Sequence, residues 1–267
     1  MNLYDRDYRK LNQQEDESWR MLKARENAGQ VGKLHFTHSL FHEYPKAVRH
    51  YITLFPNNYL DIFDLKEVER LEQQLKDFEA LLESDGVNEN AILRFIDTNR
   101  AYFVVGSLLK HFHFGHHDAF LFREFQLGNS HQVDCLLVGR ASGGWEFVFV
   151  ELESPTSNIT LKHGELGDAF RKGQNQVADW DSWLERHFPS LRETFDKHKQ
   201  DGEVLPNEFV VLDKTRIHYV VVAGRRTNFY EKTYRIRRGT RKDQDLLLLH
   251  YDNLIDSARQ ILGAETY

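Results

Sequence analysis

Three carboxylic acids interrupt two runs of apolar residues in the middle of the chain. Asp134 lies within the run 133–138, Glu151 lies near the end of the run 145–152, and Glu153 follows that run directly. Isolated carboxylates are costly to bury among apolar side chains, whereas a cation between them offsets that cost. Mg²⁺ prefers oxygen ligands and is commonly held by one or two carboxylates together with substrate phosphates. The three acids therefore predict a binding site for a hard divalent metal ion.

Two strand-length segments position these acids. The segments are separated by a glycine-containing turn at residues 139–144, which is typical of a β-hairpin. Residues two apart in a strand share a face and lie roughly 6 to 7 Å apart, so Glu151 and Glu153 can meet at one site. Asp134 could face Glu151 across the hairpin, but the loop length allows pairings of either parity. The sequence predicts the hairpin and leaves its register open.

Further elements follow the two periodicities of helices and strands. Apolar residues recur every three or four positions in the segments 64–84 and 166–184, two further helices are expected, and two short apolar runs have the length of buried strands. The predicted helices are residues 64–84, 88–99, 166–184 and 253–262, and the predicted strands are 217–223 and 246–251. Gln176 lies on or beside the buried stripe of the third helix, and Asp252 is the expected N-cap of the last. This order predicts an α/β or α+β fold with a mixed β-sheet flanked by helices.

The chain divides into two parts on these patterns. Residues 1–84 carry scattered aromatic and charged residues and an amphipathic linker helix, and we expect a mainly helical or mixed N-terminal extension that serves assembly or sensing. Residues 85–267 carry the hairpin and its surrounding elements. The one cysteine, Cys135, lies inside a predicted buried strand, so no disulfide can form within the chain. No apolar run approaches the roughly 18 residues that span a bilayer, and we expect a cytoplasmic protein with no membrane partner.

Positive charge is concentrated in one segment, although the chain as a whole has a net charge of −6. Residues 214–242 contain ten basic residues and one acid, Glu231, with tyrosine and phenylalanine interleaved. Basic side chains neutralise phosphates and aromatic rings stack on unpaired bases, so this segment predicts nucleic-acid binding. A solvated loop or an acidic partner surface would account for it equally well. The residues expected to contact nucleic acid are Arg225, Arg226, Lys232, Arg235, Arg237, Arg238, Arg241 and Lys242.

Two other kinds of chemistry find little support in the sequence. Four histidines fall between residues 111 and 117, but no cysteine accompanies them and they lack the helical spacing of a Glu-x-x-His motif. This favours a solvated turn over a zinc site. No Gly-x-Ser-x-Gly motif is present, and the predicted burial of Cys135 argues against a cysteine nucleophile.

The acids form part of a larger pattern that resembles a known family. Asp134 in the hairpin, Glu-Leu-Glu-Ser-Pro at residues 151–155 and a helix with Gln176 four residues before Trp180 occur together. This combination resembles the Shedu family of bacterial anti-phage proteins, and the likeness covers residues 85–263. Similarity to the family's leading helix, closing strand and closing helix is found at residues 92–99, 221–225 and 250–255.

The resemblance implies a fold and an activity. The C-terminal domain of the Shedu family belongs to the PD-(D/E)XK nuclease superfamily, whose pattern is a strand aspartate, a Glu-x-Lys on the partner strand followed by proline, and a glutamine on a helix. Asp134, Glu151, Pro155 and Gln176 match it. The likeness implies a restriction-endonuclease-like core and an endonuclease that hydrolyses phosphodiester bonds of DNA. Its cofactor would be Mg²⁺ or Mn²⁺ with no small-molecule cofactor, and its partners would be DNA and further copies of the chain in a homo-oligomer.

The same resemblance assigns roles to individual residues. Asp134, Glu151 and the main-chain carbonyl of Leu152 would hold the metal ion, and Gln176 would position a water molecule or a phosphate oxygen. Glu153 departs from the pattern, because it stands where the family usually has lysine. A glutamate there would bind a further metal ion or act as a general base through water.

Glu89 is a candidate for an additional acid of the site, since the superfamily often has one at the start of the helix before the hairpin. An acid in the first turn of a helix also interacts favourably with the helix dipole, so a structural role is equally compatible. Two alternatives to a nuclease stay open on the sequence. One is a nucleic-acid-binding sensor on a nuclease fold that has lost catalysis. The other is an assembly scaffold whose acids form structural ion pairs.

Overall fold

In the computed structural model, a mixed β-sheet of five strands lies at the centre of the described residues. Its strands lie side by side in the order in which they occur in the sequence. A small two-stranded sheet precedes it in the chain. The strands are β1 (Gln30–Val31), β2 (Leu34–His35), β3 (Asp118–Leu127), β4 (His131–Ala141), β5 (Gly144–Leu152), β6 (Ile217–Val222) and β7 (Leu246–Leu249). The structure describes residues 2–27, 30–31, 34–35, 39–161 and 165–267.

Helices precede, connect and follow these strands. Those of the described residues are α1 (Gln13–Asn27), α2 (Lys46–Tyr51), α3 (Val68–Leu82), α4 (Glu89–Thr98), α5 (Tyr102–Gly106), α6 (Asp168–His187), α7 (Leu191–His198), α8 (Glu231–Gln244) and α9 (Tyr251–Ile261). On one face of the five-stranded sheet lie α3, α4, α5 and α9, and on the other lie α6 and α7. This arrangement confirms the predicted fold class, a mixed sheet flanked by helices. None of the described helices is long and apolar enough to cross a membrane.

The sheet is apolar on both faces because helices cover each of them. Leu137 and Val148 point into the core that contains α3, α4, α5 and α9, whereas Leu136 and Phe149 point into the core under α6 and α7. The central strands are therefore continuous apolar runs, and any acid among them needs a specific partner.

The hairpin register, which the sequence leaves open, is defined in the structure. Cys135 pairs with Val150, so the next positions along the two antiparallel strands, Asp134 and Glu151, stand opposite each other. The strand β4 runs further than the sequence predicts and leaves a tight turn before Gly144, whose φ of 108° favours glycine. The pairing places both acids at the same end of the hairpin.

One edge of the sheet collects the ends of several strands. The strands β5, β6 and β7 are parallel, so their C-terminal ends lie together, and antiparallel β4 brings Asp134 to the same level. We call this the C-terminal edge. Both α6 and α8 follow a strand that ends there and return the chain to the opposite edge. Open sheets of this kind bind ligands beyond the carboxyl ends of their parallel strands.

The N-terminal segment packs on the sheet. The Leu60 amide donates a hydrogen bond of 2.9 Å to the Ala119 carbonyl, and the Leu121 amide donates one of 2.9 Å to the Asn58 carbonyl. These bonds cover the outer side of β3, which would otherwise be an open sheet edge.

The amphipathic helix predicted at residues 64–84 is shorter in the structure. A 3₁₀ turn (Ile62–Lys66) precedes α3, which begins at Val68. Val68 itself is 43% exposed and lies outside the buried stripe. That stripe consists of Leu71, Leu75, Phe78 and Leu82.

Candidate active site

The C-terminal edge brings together the acids that the sequence singles out. Asp134 comes from β4, Glu151 comes from the end of β5, and Glu153 lies two residues further on. Strand alternation places Asp134 on the face of Leu136 and Glu151 on the face of Phe149, and both apolar residues belong to the core under α6. Glu151 and Glu153 are each only 3% exposed. The structure thus gathers three acids on the α6 face at one end of the sheet.

Asp134 closes the end of the β4–β5 ladder. Where the main-chain pairing of the two strands stops, the Leu152 amide donates a hydrogen bond of 2.8 Å to the Oδ2 atom of Asp134. The N–H and C=O groups of one strand residue point to the same side, so the Leu152 carbonyl faces the same gap. Burial raises the pKa of Asp134, the hydrogen bond from Leu152 opposes that rise, and Glu89 and Glu153 add to it.

Glu151 is buried between the sheet and α6. The side chain of Gln176, on α6, hydrogen-bonds the Glu151 carboxyl group. The Oε2 atom of Glu151 and the Oε1 atom of Gln176 have no hydrogen-bond partner among the described residues. Burial raises the pKa of Glu151, and the neighbouring Asp134 and Glu153 raise it further. Because a buried carboxyl oxygen without a partner is costly, a cation bound there would stabilise the fold.

Glu153 forms an ion pair with a lysine that the sequence analysis missed. The Nζ atom of Lys172, on α6, lies 3.0 Å from each Glu153 carboxylate oxygen and 3.6 Å from the Oε2 atom of Glu89. Burial raises the pKa of Glu153, and Lys172 only partly offsets that rise. The signal that could have identified Lys172 is its position four residues before Gln176, which puts both on one face of a helix.

The main chain of Glu153 is held although the residue lies beyond the end of β5. Its amide donates a hydrogen bond of 2.8 Å to the Val222 carbonyl of β6. The buried hydroxyl of Tyr251, the first residue of α9, donates one of 2.7 Å to its carbonyl. The Glu153 side chain therefore starts from a fixed position between α6 and the sheet.

Glu89 reaches the site from the first position of α4. Asn88 caps this helix by accepting a hydrogen bond of 3.0 Å from the Ala91 amide. The carboxylate of Glu89 is among the groups that raise the pKa of both Asp134 and Glu151. Glu89 is therefore part of the same electrostatic environment, whether its role is in the site or in the helix terminus.

The donors of the site are oxygens, which suit a hard cation. Within the described residues, no group of three or more His, Cys, Asp or Glu side chains is arranged to hold a metal ion. The groups that remain are Asp134, the Oε2 atom of Glu151 and the Leu152 carbonyl. Mg²⁺ commonly takes only one or two carboxylates and completes its coordination with water or phosphate. Two carboxylates and a carbonyl thus fit Mg²⁺ or Mn²⁺.

Several of the predicted nucleic-acid-binding residues are engaged in ion pairs, Arg225 and Arg226 with acids of neighbouring helices. Arg225 contacts Asp252 at 2.9 Å and Glu83, at the end of α3, at 2.7 Å. Arg226 pairs with Asp256 of α9. If the chain were an assembly scaffold, its basic segment should cluster with the acidic residues of the segment 61–89, and the contact between Arg225 and Glu83 is of that kind. These two arginines hold α9 and α3 in place beside the C-terminal edge.

The other predicted nucleic-acid-binding residues lie on the helix α8. A solvated loop, which was an alternative for this part of the sequence, is not what the structure shows. This helix begins near the C-terminal edge and ends at the opposite edge, where Arg241 contacts Asp245 at 3.0 Å. Its first turns are therefore nearer to the acids than its last. The exposed basic residues are Lys232, Arg235, Arg238 and Lys242, and the partly buried ones are Arg237 and Arg241.

The aromatic residues of the basic segment are mostly part of the core. Tyr219 and Phe229 are buried, and the Tyr219 hydroxyl donates a hydrogen bond of 2.6 Å to Asp181. Tyr234 is partly buried, whereas Tyr230 is 60% exposed. The sequence suggested that rings of this segment stack on unpaired bases. Tyr230 is exposed enough to do so, whereas Tyr219 and Phe229 are not.

The histidine cluster is divided by burial. The Nε2 atom of His111 lies 3.1 Å from the Ser257 hydroxyl, and His111 is partly buried. His113, His116 and His117 are exposed. Cys135 is buried, and burial raises the pKa of its thiol, which disfavours a thiolate nucleophile.

A comparison with known families places this edge in context. A family model described as Shedu protein SduA, C-terminal, matches residues 86–255. No curated protein matches the chain. The matched region extends from just before α4 into α9 and contains the acids of the site, Lys172 and Gln176. Since the match covers well over half of the chain, the protein belongs to the Shedu protein SduA C-terminal family.

Proposed function

We propose that the chain is a divalent-metal-dependent endonuclease that hydrolyses phosphodiester bonds of DNA in defence against phage. The observation that carries this proposal is the buried Oε2 atom of Glu151, which lacks a partner among the described residues and lies beside Asp134 at the C-terminal edge. Membership of the Shedu family supports a role in anti-phage defence. DNA is the proposed partner, a homo-oligomer is the proposed assembly, and the cytoplasm is the proposed location.

Asp134, Glu151 and the Leu152 carbonyl would hold Mg²⁺ or Mn²⁺. Such an ion, when bound, polarises the phosphodiester and lowers the pKa of a water molecule. The Gln176 amide, which contacts Glu151, can hydrogen-bond an oxygen of the scissile phosphate or the attacking water. Glu153, fixed by Lys172 and by its main-chain bonds, can accept a proton from that water.

Contact with the DNA backbone is assigned to the exposed basic residues at the start of α8. Lys232, Arg235 and Arg238 are exposed and lie on the turns nearest to the C-terminal edge. Each contact with a phosphate releases counterions and so contributes to affinity without sequence preference. Arg225 and Arg226 would contribute only if they left their ion pairs with Asp252 and Asp256.

The test is cleavage of linear, nicked, circular and single-stranded DNA by the full chain with Mg²⁺ or Mn²⁺. We expect Asp134→Asn and Glu151→Gln to lower the cleavage rate by more than roughly 100-fold, because even outer partners of metal ligands account for 10- to 100-fold. Glu193→Gln, which changes an exposed acid on α7, is the matched control and should retain wild-type activity. If the wild-type chain cleaves none of these substrates with either ion, the proposal fails.

A nucleic-acid sensor without catalysis is the second candidate. It is favoured by one observation: Glu153, which stands at the lysine position of the family pattern, is already paired with Lys172, whose Nζ atom donates a hydrogen bond to its Oε2 atom. A sensor should bind DNA equally well with Mn²⁺ or with a chelator, and Asp134→Asn should leave that binding unchanged. A nuclease should require the ion for cleavage and should lose cleavage in the same variant.

A further inference from the structure

Lys172 occupies the cation position beside Glu153. Its Nζ atom lies 3.0 Å from each carboxylate oxygen of Glu153 and 3.6 Å from the Oε2 atom of Glu89. The side chain of Glu153 is 4% exposed and that of Lys172 is 57% exposed, so the lysine reaches a buried acid from the solvent side. One ammonium group thus donates a hydrogen bond to one oxygen of a buried carboxylate and lies at ion-pair distance from the other.

The close packing of α6 on the sheet places Lys172 there. A Cβ atom at Gly173 would lie 2.5 Å from the Cγ1 atom of Val221, so only glycine lets α6 approach β6 this closely. Lys172 and Gln176 are one helical turn apart and share a face. From that face Gln176 reaches Glu151 and Lys172 reaches Glu153. The helix therefore supplies a neutral partner to one acid and a charged partner to the other.

Because Lys172 pairs with Glu153 and the neutral Gln176 contacts Glu151, the two acids differ in their ability to bind a divalent ion. A divalent ion bound by Glu153 would stand within a few ångströms of the ammonium group, where like charges repel strongly. In the described part of the chain, the ion pairs of Lys172 are with Glu153 and Glu89, and none is with Asp134 or Glu151. The carboxylates that remain without an ammonium partner are those of Asp134 and Glu151.

We propose that Lys172 is a positioning residue that takes the place of a second metal ion, so that the site binds one divalent ion instead of two. The inference rests on the proposed nuclease function and deepens it, because it selects between the two roles open to Glu153. Glu153 is held by the ammonium group, and it is not a metal ligand. Removal of the ammonium group opens a second metal position formed by Glu153 and Glu89.

The number of Mn²⁺ ions bound per full chain tests this inference without any measurement of activity. Equilibrium dialysis, or the electron paramagnetic resonance signal of free Mn²⁺, gives that number. We expect one ion in the wild type, two in Lys172→Met, and one in Lys172→Arg, which keeps the positive charge. The double variant Lys172→Met with Glu153→Gln should return to one ion. Arg171→Met is the matched control, since Arg171 is the neighbouring exposed cation of α6 and pairs with Asp168.

Each outcome bears on a different part of the proposal. If Lys172→Met binds one ion like the wild type, or if the wild type already binds two, the role of Lys172 is overturned while the nuclease proposal stands. If the wild type binds no ion, the nuclease proposal and this inference fail together. Lys172→Gln repeats the test in case the methionine variant does not fold, and its unfolding curve provides the control for folding.

Discussion

Two buried carboxyl groups of this chain have opposite surroundings. Asp61, which precedes α3, accepts hydrogen bonds from Arg49 at 2.7 and 3.1 Å, and His50 approaches it at 3.6 Å. Burial alone would raise the pKa of Asp61, but His50 and Arg49 lower it to about 2. Glu151 is also buried, yet its hydrogen-bond partner is the neutral amide of Gln176, and its pKa is raised.

Both acids are buried, so burial does not distinguish a structural acid from a candidate metal ligand. The charge of the hydrogen-bond partners does. Asp61 is already neutralised by the guanidinium group of Arg49, so it has no need of a further cation. Glu151 is surrounded by other acids and keeps one oxygen without a partner among the described residues. Four predictions test this contrast, ordered from the largest expected effect to the smallest.

The first prediction concerns Asp61. Asp61→Asn removes the charge that neutralises the buried Arg49 side chain, and breaking a buried pair in this way typically costs about 3–5 kcal/mol. Urea unfolding followed by circular dichroism should show that loss in the free energy of unfolding. The matched control is Asp64→Asn, which breaks the more exposed pair with Lys46 and should cost about 0–1 kcal/mol. Equal losses in the two variants would remove the contrast.

The second prediction concerns Glu151 and has the opposite sign. In the metal-free chain at pH 8, Glu151→Gln should increase the free energy of unfolding by on the order of 1 kcal/mol or more, because burial raises the pKa of Glu151 and the wild-type carboxyl must take up a proton on folding, whereas the amide need not. The amide keeps the shape and the contact with Gln176 but carries no charge. Addition of Mg²⁺ should stabilise the wild type and leave the variant unchanged. A variant less stable than the wild type under these conditions would contradict the assignment.

The third prediction is a stability profile with two limbs. The pKa values of Asp134, Glu151 and Glu153 are raised by burial, so the folded chain binds more protons than the unfolded chain above the ordinary carboxylate range. Between the ordinary pKa of each carboxyl group and its raised pKa in the folded chain, the free energy of unfolding should therefore fall as pH rises. The expected slope is on the order of 1 kcal/mol per pH unit for each group.

Asp61 contributes to the acid limb of the profile together with other acids whose pKa is lowered, among them Glu26 and Asp252. Its folded pKa is lowered, so its contribution is present above the ordinary aspartate pKa and is lost as pH falls toward about 2. Thermal unfolding of the metal-free chain from about pH 3 to 9 would check both limbs. Mg²⁺ should flatten the limb at higher pH and leave the acid limb unaltered. A profile that rises steadily to pH 9 would contradict the raised pKa values.

The fourth prediction extends the contrast to the basic residues. Replacing the exposed Arg235 and Arg238 by alanine should reduce the slope of log affinity for DNA against log salt by about 1 to 2, since each phosphate contact contributes roughly 0.9. Arg226→Ala should change the slope less, because Asp256 already neutralises this residue. Fluorescence anisotropy at several salt concentrations measures the slopes. Equal slopes in all three proteins would exclude α8 from the DNA contact.

The sequence reveals the elements of the site better than their mutual geometry. The apolar runs around Asp134 and Glu151 predict the hairpin, but the register depends on the tight turn before Gly144, which composition alone does not define. Lys172 is separated from Glu153 by 19 positions in the sequence and comes from a different element, so no local pattern connects them. The pairing becomes apparent only when α6 is placed on the sheet.

Two further elements show why polar segments are harder to predict. The last part of the basic segment forms the helix α8 (Glu231–Gln244), although its few apolar residues give no strong helical stripe. At the start of α9 the expected N-cap is Asp252, yet His250 caps the helix by accepting a hydrogen bond from the Asn253 amide. Asp252 is instead paired with Arg225. At the start of α9 the pairing with Arg225 thus decides between two caps that local preference leaves nearly equal.

The hydrogen bonds that residues 58–60 make along β3 bear on how the protein should be handled. A fragment cut to the region matched by the family would lack this cover and would present the main-chain groups of Ala119 and Leu121 to solvent. A bare strand edge next to a large apolar surface recruits other chains by strand addition. Such a truncated fragment should aggregate for a reason unrelated to its chemistry. The N-terminal segment thus protects the edge strand β3 from pairing with other chains.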